Sequence, residues 1–224
     1  MQDSWPHTAD IAIHVVCGTG ALVLGAIQLL STKGGAQHRR IGTLFVRAAW
    51  VVVGTAAIGL SLFRFGAFLA VLTLLVAYWL HSGMRALRIR HGGPARQDAV
   101  AAISALIAVA LFVWFLPRVR SPWVPAITYS TLATLALLAT YDLSRFLFPK
   151  RWFESLWLYE HVVKMIGAHG AIAAAFAGTV LPFFQPFSQL APSVIWSGLQ
   201  IGFVIQQAWR RRRSDVRSTP VSPA

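Results

Sequence analysis

Residues 65–96 read FGAFLAVLTLLVAYWLHSGMRALRIRHGGPAR. The first part, Phe65 to Met84, is almost wholly apolar and, at 1.5 Å per residue, long enough to cross the roughly 30 Å hydrocarbon layer of a bilayer as an α-helix. The second part holds Arg85, Arg88, Arg90 and Arg96 and no acid. A basic stretch directly after an apolar one marks a segment held on the cytoplasmic side.

The same pattern recurs along the chain. Apolar windows fall at Ile11 to Leu30, Thr43 to Phe63, Phe65 to Met84, Ala99 to Pro117, Val124 to Leu143, Tyr159 to Leu181 and Leu190 to Trp209. Basic residues follow the first (Lys33, Arg39, Arg40), third, fifth (Arg145, Lys150, Arg151) and seventh (Arg210 to Arg213, Arg217). The gaps between hold only Arg64, then Arg118 with Arg120, then no charge, and Asp3 and Asp10 precede the first window. This alternation predicts an all-α bundle of seven transmembrane helices with the N-terminus outside and the C-terminus cytoplasmic. It also predicts a multi-pass membrane protein, with residues 1–213 as one membrane domain and a Ser- and Pro-rich tail, 214–224, disordered.

Composition excludes other classes. With 56% hydrophobic and 12% charged residues, there is too little polar surface to cover a soluble globule. The net charge of +13 would suggest nucleic acid in a soluble protein, but the cations lie beside apolar spans, where they set topology and meet anionic headgroups. Membrane lipids, not nucleic acid, are the expected partners. The single cysteine, Cys17, rules out an intrachain disulfide and a CxxC site. Walker A, HExxH, GxSxG and dinucleotide-binding fingerprints are all missing.

Ionisable groups in or near hydrocarbon are costly, so each is a candidate for function. His81 and His161 fall at similar depths near the cytoplasmic ends of the third and sixth spans, with His38, Asp142 and Glu160 in the same layer. Two neutral imidazoles at one depth suit axial ligation of a b-type haem, and imidazoles with carboxylates suit zinc or another transition metal. The competing reading is structural: the histidines cap helix ends while Asp142 and Glu160 pair with arginines such as Arg145 or Arg85. Lys164 shares the face of His161 and either snorkels to headgroups or lies buried. His169 approaches the midplane, where a hydrogen-bonded structural histidine competes with a functional one. Gln28, Gln200, Gln206 and Gln207 and the hydroxyls of Thr128, Ser130, Thr131, Thr134 and Thr140 either line a polar interior or hydrogen-bond between or within helices.

The run GTGALVLGAIQLLSTKGGAQHRRIGTLFV, Gly18 to Val46, resembles the first hairpin of the DUF2306-type bacterial multi-pass membrane proteins. The basic loop MRALRIRHGG and the helix HVVKMIGAHGAIAAAF extend the resemblance over most of the chain. The resemblance marks His38, His161, Lys33, Arg39, Arg40 and Met165 without implying an activity. The turn at Lys33 to Arg40 either binds phosphate or a lipid headgroup or acts as a positive-inside anchor. Two functional expectations follow. The first is a haem or metal site for redox or electron transfer, working with a membrane redox partner or a second copy of the chain. The other is a transporter or lipid- or small-molecule-binding protein with no prosthetic group.

Overall fold

The computed structural model describes residues 5–118 and 125–218, with side chains described through 209. Arg120, the N-terminal Asp3, the side chains of Arg210 to Arg213 and Arg217, and the last six residues of the expected tail (219–224) lie outside what is described. Among the described residues there is no strand. The helices are α1 (Trp5–Leu30), α2 (Ala36–Ile58), α3 (Ala67–Gly92), α4 (Arg96–Phe115), α5 (Pro125–Ser144), α6 (Lys150–Val180) and α7 (Phe187–Ser218). A π-helical turn, Gly59–Phe63, extends α2.

Among the described residues, five segments are long and apolar enough to cross a membrane: α1, α2 with its π turn, α3, α4 with the turn that follows it, and α6. The chain is therefore a helical protein of multi-pass membrane character. Several helices run beyond their apolar windows, α3 on to Gly92 and α6 back to Lys150. Hydropathy marks the stretch that lipid requires, whereas a helix continues for as long as its residues favour it. The surface is correspondingly apolar: Val16, Leu137 and Val194 are each about 70% exposed, as lipid-facing side chains are.

The central pair is α3 and α6. The α1–α2 hairpin leans on it with α2 against α3 and α1 against α6, the α4–α5 hairpin docks through α5 on α3, and α7 lies along α6. Glycines on α6 permit the close approaches. A Cβ at Gly167 would come within 2.5 Å of the Trp79 ring, and one at Gly170 within 2.6 Å of Trp196. Between helices in lipid, association depends on such packing because apolar burial gains nothing over contact with acyl chains.

Gly170→Leu is expected to force α7 away from α6 and cost about 1–3 kcal/mol. Gly54→Ala, where the added Cβ meets nothing within 4 Å, should be close to neutral. Thermal unfolding of the purified variants in one detergent checks this, and equal midpoints would contradict the packing.

Candidate functional site

The polar groups include a buried ionic cluster, a set of histidines in separate surroundings and a cleft between helices. The cluster gathers Tyr78 and Ser82 of α3, Asp142 of α5, Arg145 just beyond it, and Glu160 and Lys164 of α6. Lys164 Nζ donates to Asp142 Oδ1 at 2.5 Å, to Ser82 Oγ at 2.7 Å and to Glu160 Oε2 at 3.4 Å. Arg145 pairs with Glu160 at 2.8 Å and with Asp142 at 3.1 Å. The Tyr78 hydroxyl donates to Asp142 at 3.0 Å, Ser82 does likewise, and Tyr141 donates to Glu160 at 2.8 Å. The four charges balance and all four residues are buried. Local sequence explains part of this: Asp142 and Arg145 are one turn apart, as are Glu160 and Lys164. The rest is tertiary.

This arrangement decides what the groups can do. An ammonium has three hydrogens, and those of Lys164 are all engaged. Lys164 is thus buried in an ion pair and does not snorkel to headgroups. Asp142 and Glu160 direct their lone pairs at cations and hydroxyls, and no group of three or more His, Cys, Asp or Glu among the described residues could hold a metal. Arg85, the other proposed partner of these acids, instead makes a two-pronged pair with Asp98 at 2.6 and 2.7 Å. Asp98 also accepts the Ala95 N–H at 2.7 Å, capping α4. The sequence reading passed over Asp98; its place three residues after Ala95, beyond a proline, was the available signal.

The histidines are dispersed. His161 Nδ1 donates to the Gly83 carbonyl at 2.9 Å, and Met165 beside it packs on Gly83. His38 is within electrostatic range of His161 and shares a 3.4 Å contact with Ser31. His81 has Asp98 and Arg85 as charged neighbours, and its Nε2 is buried without a partner. His169 bridges helices: Nε2 donates to Leu22 O at 3.0 Å, Nδ1 accepts from Trp196 Nε1 at 2.9 Å, and the ring sits where a Cβ at Gly25 would be 2.3 Å away. One nitrogen donating and one accepting make it a neutral structural histidine.

The first turn is a helix terminus. Lys33 Nζ donates to the carbonyls of Gln28 and Leu29 at 2.5 and 2.8 Å, satisfying the end of α1, and partial burial there pushes its pKa down from the usual lysine range. Gly34, at φ +85°, makes the turn, and Arg39 donates to its carbonyl at 2.9 Å. Arg40 is exposed.

The cleft, of about 450 Å³, lies between α5 and α7 with α3 and α6 as its floor. Apolar side chains such as Phe68, Leu72 and Trp79 line it together with Ser130, Thr131, Thr134, Gln189, Ser193 and Gln200. Among the described residues, none that lines it is charged. Gln189 is 2% exposed, and neither its Nε2 nor its Oε1 has a hydrogen-bond partner. A buried primary amide with both ends unmet is the sharpest unsatisfied chemistry in the cleft. Only Gln200 and the hydroxyls of α5 were signalled by the sequence; Gln189 was not, since a glutamine near a helix start reads as ordinary surface.

Comparison with known families, with curated proteins and with solved structures finds no match to this chain.

Lys164→Met leaves two buried carboxylates sharing one cation and is expected to cost about 3–5 kcal/mol. Adding Asp142→Asn should recover part of that loss, a coupling on the order of 1–3 kcal/mol. A double-mutant cycle by denaturant unfolding in detergent measures it, and strictly additive losses would mean that the two groups do not interact.

Proposed function

We propose that this is an inner-membrane protein, N-terminus outside, that binds a lipid-soluble small molecule in the α5–α7 cleft without a prosthetic group. The observation that carries this reading is the unpartnered Gln189 amide in a cleft of about 450 Å³. Ligand sites commonly occupy roughly 300–1,000 Å³, with apolar walls and a few convergent polar groups. The mouth opens sideways between α5 and α7, where Leu137 and Leu190 are exposed, so a ligand enters from the bilayer and not from water. The bulk of the ionic cluster is structural in this reading and closes the end of the cleft nearer Asp142 and Lys164.

A second reading, a haem or metal site serving electron transfer, is favoured by one observation: the Gly83 carbonyl fixes the proton of His161 on Nδ1, leaving Nε2 as the basic nitrogen, with His38 nearby. That is the tautomer that ligating histidines adopt. The resemblance to DUF2306-type proteins marks the same two residues. An absorption spectrum of protein expressed with haem available, oxidised and dithionite-reduced, tests it; a reduced α band lost in His161→Ala would displace the cofactor-free reading.

For the cleft reading, organic extracts of protein in nanodiscs should contain a molecule enriched over the nanodisc lipid. Ser193→Phe, placed at the mouth, should abolish the enrichment. Equal extracts from both proteins would sink it. Orientation is tested separately in a Cys17→Ala background: Phe183→Cys, 96% exposed between α6 and α7, is expected to react with an impermeant maleimide from outside, and Gly35→Cys is not. The reverse pattern would invert the topology.

A further inference from the structure

We propose that the cleft takes a neutral bilayer lipid with a free hydroxyl head, a diacylglycerol, and that Gln189 selects for that hydroxyl. The inference rests on the cleft-binding reading above and adds the chemistry of the ligand.

Charge is excluded first. Among the described residues none that lines the cleft is ionisable, and the nearest cation seen on α6, Lys164, has every hydrogen committed to Ser82, Asp142 and Glu160. A phosphate or an ammonium head would enter an apolar space without a counter-charge, which is the costliest arrangement a bilayer protein can adopt.

Hydrogen-bond polarity comes next. Ser130 and Thr131 donate to the Ile127 carbonyl at 2.9 and 2.8 Å, Thr134 donates to Ser130 O at 2.9 Å, and Ser193 donates to Gln189 O at 2.8 Å. Each of these hydroxyls has spent its hydrogen on its own helix and retains only lone pairs. The Trp196 N–H is likewise given to His169, and one of the two Gln200 Nε2 hydrogens to Val163 O at 2.8 Å. These hydroxyls therefore offer acceptors, which favours a ligand that brings a hydrogen. A quinone or an ester brings none.

Gln189 completes the argument. Its Nε2–H and Oε1 stand side by side, both free, and a hydroxyl is the smallest neutral group that accepts from one and donates to the other. Gly178 makes the seat, since a Cβ there would lie 2.6 Å from Gln189 Nε2. Gln189 is near the start of α7 and Gln200 is three turns further on, about 16 Å along the axis. That distance gives an acyl chain room to lie in the cleft with its head at Gln189.

The test is equilibrium binding of four dioctanoyl- or decyl-chain probes to nanodisc-embedded protein: diacylglycerol, its 3-O-methyl ether, phosphatidic acid and a decyl quinone. Wild-type protein should bind diacylglycerol about tenfold tighter than the ether, the ratio that one net hydrogen bond supplies. Both Gln189→Leu and the near-isosteric Gln189→Met should lose that preference while keeping the affinity for the ether, and Ser193→Phe should lose both probes. Equal binding of ether and alcohol, or tighter binding of the phosphate or the quinone, overturns the head-group assignment and leaves the cleft as a binding site. Probes that bind nowhere, or bind Ser193→Phe as well as wild type, overturn both.

Discussion

Two carboxylates and two cations share the space between α3, α5 and α6, and the rest of the bundle is arranged around their need for one another. An isolated charge at that position would be prohibitively costly, so Asp142, Arg145, Glu160 and Lys164 are held together wherever the helices go. The α5 backbone packs on α3 and makes little approach to α6, so these long side chains bridge an interval that apolar packing does not fill. Tyr78 and Ser82 extend the network to α3. A pair missing one member would leave an uncompensated buried charge, which makes the cluster specific for one relative placement of three helices.

The cleft is a consequence of that placement. Asp142 and Lys164 tie α5 to α6 at one level, and one turn further along each helix the lining begins, with Leu138 on α5 and Gly167 on α6. Beyond the tie, α5 stays on α3 and α7 stays on α6, where Gly170 and Gly178 admit Trp196 and Gln189. The two outer helices stand apart, and the cleft opens between them. Its polar lining is neutral because the charges have been consumed below it.

The histidines illustrate how the same side chain serves different ends. His169 is tied at both nitrogens and joins α1, α6 and α7 as a neutral bridge. His161 uses one nitrogen on the α3 backbone and keeps the other, and His81 holds an unmet buried nitrogen beside the Arg85–Asp98 pair. These are three environments, so similar depth alone does not gather them into one site.

Hydropathy and charge are properties of consecutive residues, and they alone determined that this chain is all-helical and of membrane character: a run such as Phe65 to Met84 has nowhere else to be stable. Asp142, Glu160 and Lys164 were legible for the same reason, because a charge inside an apolar window is conspicuous by itself, whereas the buried Asp98, between windows, was not. Which groups meet was not legible. Arg85 takes Asp98 and leaves Asp142 to Lys164 because of helix rotation and relative depth, quantities that a window of sequence does not contain. Gln189 shows the limit most plainly. Its identity is unremarkable in the sequence, and only the separation of α5 from α7, with the space made by Gly178, leaves its amide buried and unpaired in a cleft. Local physics set the elements and their apolar character, while the pairing of distant polar groups, and so the position of the cleft, was decided by tertiary packing.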